Sequence, residues 1–142
     1  MHNHVIHLKR VYDPPDKDDG KRFLVDRLWP RGVKKESLLL DEWLKNVAPS
    51  NDLRHWFGHE PSRWEEFCRR YGAELEGNRE AWQPLLEAAA VQTVTLLFSA
   101  HDPVYNNAAA LRSFLEEALN GRRNDPLMCY AKCPCRKGQN YE

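Results

Sequence analysis

Thr93-Val94-Thr95-Leu96-Leu97-Phe98-Ser99 is the stretch on which the fold turns. Five consecutive apolar or β-branched residues there predict a strand covered on both faces, the condition of a parallel sheet. Two more strand candidates lie upstream. In Val5–Val11, Val5, His7, Lys9 and Val11 alternate with Ile6, Leu8 and Arg10. Phe23–Leu28 is the second, and it runs into Trp29-Pro30-Arg31-Gly32, where Pro30 has no N–H to extend a ladder. Between these two lies Asp13-Pro-Pro-Asp-Lys-Asp-Asp-Gly20, which reads as a surface loop.

Helical patterns fill the interval before Thr93. Leu40, Trp43, Leu44 and Val47 recur at helical spacing, and Pro49 closes that segment. Ser50 can cap a short helix bearing Leu53, Trp56 and Phe57, with Gly58 as its stop. Pro61 opens the clearest helix, whose stripe is Trp64, Phe67, Tyr71 and Leu75, and Gly77 ends it. A further helix is expected through Leu85–Ala90 with Pro84 in its first turn. The last covers about Val104–Leu119, with Ala108, Leu111, Leu115, Ala118 and Leu119 inward. Strands separated by helices predict an α/β fold: a small, mainly parallel three-stranded sheet with helices packed around it. Residues 1–121 are read as the domain and 122–142 as a polar, Cys-containing tail.

At 142 residues the chain is long enough to bury roughly 68–70% of its unfolded surface without disulfides or metal. Lys and Arg total 21 and Asp and Glu total 21, so no net field draws it to nucleic acid or to an anionic membrane. Nucleic acid is therefore an unlikely partner, although Arg63–Arg70 and Arg122–Arg123 are local basic segments. No apolar run is long enough for a membrane helix and no leader-like start is seen, so a cytoplasmic location with reduced thiols is expected. Nothing specifies an oligomeric state.

In open α/β sheets, ligands bind beyond the carboxyl ends of strands. That rule selects Asp26–Gly32 and Ser99–Asn107. Arg27 and Arg31 can converge on one anion, since guanidinium suits phosphate and carboxylate bidentately. Trp29 offers a flat wall and an indole donor, Gly32 permits a positive φ, and Asp26 could serve as acid or base or could orient an Arg. An internal Asp–Arg ion pair beneath a packed Trp explains the same residues without a ligand. In the second loop, Asp102 before Pro103 is read as a helix cap, and His101 could donate a proton or could simply be polar surface. Asn106 and the exposed N–H groups of the following helix could help to hold an anion.

Val25-Asp26-Arg27-Leu28-Trp29-Pro30-Arg31-Gly32 resembles the signature of the YeaO-like proteins, a family built on a domain of unknown function, DUF 488. The likeness continues through Leu40-Asp41-Glu42-Trp43-Leu44, Trp56-Phe57-Gly58-His59, Arg63-Trp64, Arg70-Tyr71 and Val94-Thr95-Leu96-Leu97, over about residues 5–119. It implies a three-layer, Rossmann-like fold and no particular reaction. It also implies a basic residue and Asp after the last strand, where this chain carries His101 and Asp102.

Other motifs weigh less. Trp56-Phe57-Gly58-His59 could be a lid over the cleft, or core aromatics with His59 leaving a helix. His2, His4 and His7 do not share one strand face, and Cys129, Cys133 and Cys135 fall short of a four-ligand zinc pattern, so no metal is assigned. No Gly-rich phosphate loop or nucleophile elbow appears, and no cofactor is implied. The residues thus favour a small α/β protein, enzyme or enzyme-like, that binds a phosphorylated or carboxylated small molecule. Arg27, Trp29, Arg31, Gly32, Asp102 and Asn106 would hold it, with Asp26 and His101 as candidate catalytic groups. The alternative is a non-catalytic metabolite- or protein-binding module.

Overall fold

The computed structural model describes residues 5–120. Its strands are β1 (Ile6–Arg10), β2 (Lys21–Leu24), β3 (Glu42–Trp43) and β4 (Val94–Phe98). They form one sheet in the order β1-β4-β2-β3, with every pairing parallel. β4 is central: Val94 pairs with Ile6 on one side and with Lys21 on the other, and all five of its residues are buried. The helices are α1 (Asn51–Phe57), α2 (Trp64–Glu76), α3 (Arg79–Val91) and α4 (Asn107–Leu119). Among the described residues, no helix is long and apolar enough to cross a membrane.

Because side chains alternate along a strand, the sheet has two distinct faces. Ile6, Phe23, Val25, Val94, Leu96 and Phe98 point to one, where they join buried residues of all four helices in the main core. The stripe read from Trp64, Phe67, Tyr71 and Leu75 lies wholly within it. Leu24 and Leu97 point to the other face and pack with Val11, Leu38, Trp29 and Trp43, a smaller cluster without any helix residue. Its cover is the connection between β2 and β3. Toward β1 the same face becomes polar, where Lys9 and Arg22 meet Asp19, and Thr95 Oγ1 donates to the Asp19 carbonyl at 2.7 Å. In place of the three-layer arrangement implied by the resemblance, the described residues make a helix layer, a sheet and a cover of loops.

The sheet has four strands where three were expected. Leu40, Trp43, Leu44 and Val47 satisfy helical spacing, but the free edge of β2 offers carbonyls that this segment meets. The Asp41 N–H donates to the Arg22 carbonyl at 2.8 Å and the Leu44 N–H to the Leu24 carbonyl at 2.9 Å. A 3-10 turn at Lys45–Val47 follows, not an α-helix. β2 also ends earlier than Leu28. Its last ladder bond runs from the Val25 N–H to the Leu97 carbonyl, and the Asp26 carboxylate then turns to Ser99. α3 begins at Arg79, so Pro84 sits inside it and not in its first turn. α4 begins at Asn107, not at Val104, and Leu119 is 39% exposed.

The short helix is capped as its sequence predicts. Ser50 Oγ accepts from the Leu53 N–H at 3.2 Å, and Gly58 closes the helix in the left-handed region at φ 53°. The Asp13–Gly20 segment is a surface loop except at Asp19, which is 4% exposed. Gly20 makes that burial possible. Its φ is 67°, and a Cβ there would lie 2.0 Å from the Thr93 carbonyl oxygen, so only glycine lets the chain pass so close to β4.

Candidate functional site

A cleft of about 480 Å³ opens beyond the carboxyl ends of β2 and β4. It falls where the strand-end rule directs attention, between the two loops selected from the sequence. Asp26, Arg27, Trp29, Arg31, Ser99 and Asn106 all line it. His101, Asp102 and Gly32 do not. His101 and Gly32 are exposed, although Gly32 does adopt a positive φ of 79°.

Asp26 is anchored. Its Oδ2 accepts from the Ser99 N–H at 2.9 Å and from Ser99 Oγ at 2.8 Å, and its Oδ1 accepts from Asn107 Nδ2 at 3.1 Å. Its backbone carbonyl takes the Trp43 indole N–H at 2.8 Å. One residue therefore ties the end of β2 to β3, to β4 and to α4. All the donors to its carboxylate are uncharged, so the ion pair with Arg27 or Arg31 considered from the sequence does not form.

Arg27 is half-buried and turns to the chain leading into α1. Its Nη2 donates to the Ala48 carbonyl at 3.0 Å and to the Pro49 carbonyl at 3.3 Å, with Nε 3.4 Å from Pro49. The carbonyls fix the guanidinium without cancelling its charge. Arg31 is exposed, and its backbone carbonyl accepts from Tyr12 Oη at 3.1 Å. Arg54, on α1, donates to Asn51 Oδ1 at 3.0 Å and also lines the cleft. Among the described residues, no carboxylate makes an ion pair with any of these three arginines. The lining holds a single carboxylate, Asp26.

Trp29 supplies a wall but no donor. Its indole N–H goes to the Val33 carbonyl at 2.6 Å, and its ring meets Trp43 edge-on at 5.3 Å. Asn106 is committed too. Its Oδ1 accepts from the Ala109 N–H at 2.8 Å as the N-cap of α4, and its Nδ2 donates to the Asp102 carbonyl. This is the capping role expected of Asp102, whose Oδ1 instead accepts from the Val104 and Tyr105 N–H groups in the turn before the helix. The start of α4 remains on the cleft with its first N–H groups lacking intrahelical acceptors, as at any helix N-terminus.

Tyr71, its ring 5.7 Å from that of the lining residue Phe67, is fully buried, and its hydroxyl donates to the Val47 carbonyl at 2.6 Å. Burial pushes its phenol well above the ordinary value. The charges of Glu74 and Asp26 add to that effect, and Arg27 opposes it. Glu74 accepts from the Ser50 N–H and hydroxyl, which joins α2 to the start of α1 beside the Arg27 contacts.

Sequence reasoning passed over Arg54 and His55, which α1 brings to the cleft. His59, weighed between a lid and a helix exit, lies in the lining with Phe57. Phe57 is core as well, stacked on Phe67 at 4.6 Å. His59 is the non-glycine residue of the described chain with positive φ, 58°. The signal was Gly58, which marks the end of α1 and so puts the next side chain at the cleft rim. Trp56 is not in the lining, and the Arg63 and Arg70 guanidinium groups lie 5.3 and 4.3 Å from its ring. Cys68 belongs to the main core, and no group of three or more potential metal ligands clusters among the described residues. His2, His4, Cys129, Cys133 and Cys135 lie outside the described residues.

Fold and cleft together define a parallel α/β protein with a basic pocket at its strand ends. The chain belongs to the DUF488 family of YeaO-like proteins. A family model described as the inactive DUF488-N3 subclade matches residues 5–135. The match extends beyond the stretch that carries the resemblance in sequence, so Cys129, Cys133 and Cys135 fall inside it. The uncharacterized protein YeaO of Escherichia coli is 46% identical over 110 residues, which cover 78% of this chain and 96% of that protein. The uncharacterized proteins Mb3100c of Mycobacterium bovis and Rv3073c of Mycobacterium tuberculosis are each 38% identical over 117 residues, 82% of this chain and 95% of theirs. No solved structure matches the chain.

Proposed function

We propose that this protein binds a small phosphorylated or carboxylated molecule in the cleft and holds it without transforming it. The observation that carries the proposal is the charge arrangement: Arg27, Arg31 and Arg54 line one cleft whose single carboxylate is satisfied by Ser99 and Asn107. Cations fixed by carbonyls and amides keep their full attraction for an anion. The volume, about 480 Å³, suits a metabolite-sized ligand better than an isolated inorganic ion.

The non-catalytic part has its own support. Asp26, the one carboxylate of the lining, is committed to the fold, its oxygens accepting three hydrogen bonds from Ser99 and Asn107. The Ser99 hydroxyl is spent on Asp26, and His101 stands outside the lining. The matching family model is described as an inactive subclade, which agrees with this reading. Flat exposure of the same residues would have favoured protein docking, and they are instead concave.

Isothermal titration with fructose monophosphate tests the proposal. Binding is expected in the unaltered chain, with affinity falling about tenfold or more in Arg31→Ala, the size of one lost charge-assisted contact. Equal affinity in the variant, or no binding to the unaltered chain, would contradict it.

A further inference from the structure

Several neutral polar side chains of the cleft are already engaged with the protein itself. Ser99 Oγ donates to Asp26, and Asn107 Nδ2 donates to Asp26 and to the Val25 carbonyl. Asn106 caps α4 with its oxygen and gives its Nδ2 to the Asp102 carbonyl, and the Trp29 indole N–H goes to Val33. What the lining side chains leave for a ligand is mainly three guanidinium groups, the imidazoles of His55 and His59, and apolar or aromatic surface. Leu28, 65% exposed, contributes to that surface, with half-buried Trp29, Ala100 and Tyr105. Both rings are held in place. Trp29 is fixed by its bond to Val33 and its edge contact with Trp43, and Tyr105 packs on Trp64 at 5.2 Å between ring centroids.

From this division of the lining we infer that the ligand is an anionic head on a flat aromatic body, and that the body lies against Leu28, Trp29 and Tyr105. The inference rests on the anion-binding reading above and narrows it to a class of ligand. A sugar phosphate would set its hydroxyls against carbon, beside amides and a hydroxyl that are already bonded elsewhere. A polar group taken from water without a partner costs free energy, whereas an aromatic body gains by the same burial. Fixed rings also favour an aromatic guest, since offset and edge-on contacts add to the area buried and the walls need little reordering. The arginines remain for the anionic head, whose charge matches theirs.

The probes are 1-naphthyl phosphate, fructose monophosphate of similar size with the same head, and 1-naphthol with the body alone. By isothermal titration, the unaltered chain is expected to bind naphthyl phosphate about tenfold or more tighter than either of the others. Leu28→Asn should cut the preference over fructose monophosphate about threefold or more, since it replaces apolar surface under the body. Leu28 is exposed in a loop, so the fold should tolerate the change. Should the variant fail to fold, the preference measured on the unaltered chain still decides. Equal affinity for the two phosphates, or tighter binding of the sugar, overturns the aromatic body and leaves the anion site standing. Naphthol binding as tightly as naphthyl phosphate, or failure of both phosphates to bind, overturns both readings. A preference left whole by Leu28→Asn overturns the placement of the body, and the inference with it.

Discussion

Asp19 and Asp26 stand at the two ends of β2 and are treated oppositely by the fold. Asp19 is buried under the sheet between two cations, with Lys9 Nζ at 2.9 Å and Arg22 Nη1 bonded to its other oxygen. Arg22 Nε is also occupied, by the Leu39 carbonyl. Asp26 faces the cleft, takes only neutral donors, and leaves neighbouring Arg27 and Arg31 without a carboxylate partner among the described residues. The first cluster engages its carboxylate with cations from two strands and holds the β1–β2 connection in place. The second stores positive charge at an opening. Arginine and aspartate in one stretch of sequence are thus compatible with a closed ion pair or with a binding site. What separates them is which donors reach the carboxylate first.

The sharpest way to break this contrast is Asp19→Ala. It leaves two cations under the sheet with no counter-charge, and a loss of about 3–5 kcal/mol is expected in chemical denaturation. A loss below 1 kcal/mol would mean that the cluster is not structural. Asp26→Asn keeps the shape but turns one acceptor into a donor facing Ser99 or Asn107. It should cost about 1.5–3 kcal/mol, the scale of hydrogen bonds to a charged group. A fully stable Asp26→Asn protein would mean that the carboxylate serves something other than architecture.

Acid sharpens the comparison. Burial works to raise the Asp19 pKa. The hydrogen bonds from Lys9, the Asp16 N–H and Arg22 outweigh it, and the carboxyl lies below its usual 3.8. A depressed carboxylate contributes stability that is fully present above the unfolded-state pKa and is lost as pH falls through the folded one. Denaturation midpoints should therefore drop below about pH 4, and Asp19→Asn should flatten that acid limb. Glu66, held at about 2 by hydrogen bonds from Arg69 and then Arg70, titrates in the same direction. It is a surface residue and adds little. The smallest effect expected is at the rim. His59→Gly relieves a left-handed conformation and should stabilise the chain by about 1 kcal/mol or less.

These residues also show what could be read without coordinates. The central strand was legible because five buried positions in succession admit few other readings, and the caps at Ser50 and Gly58 because their chemistry is local. The meeting of the two loops followed from the strand-end rule. β3 was not legible: two residues of strand carry no period, and Leu40, Trp43, Leu44 and Val47 imitate a helix. Asp19 was hidden in a stretch of turn residues, since its burial depends on cations from two strands and on close passage at Gly20. The partners of Asp26 come from positions 73 and 81 residues away, a separation that no local pattern reveals. His55 reached the cleft only through the direction in which α1 runs.

The claim that one cluster is closed and the other open can be tested by following backbone amide resonances during titration with fructose monophosphate. Shifts should concentrate in residues 26–31, 54–59 and 99–107, while Lys9, Asp19 and Arg22 stay unmoved. Shifts centred on Asp19, or none at all at high ligand concentration, would contradict the account.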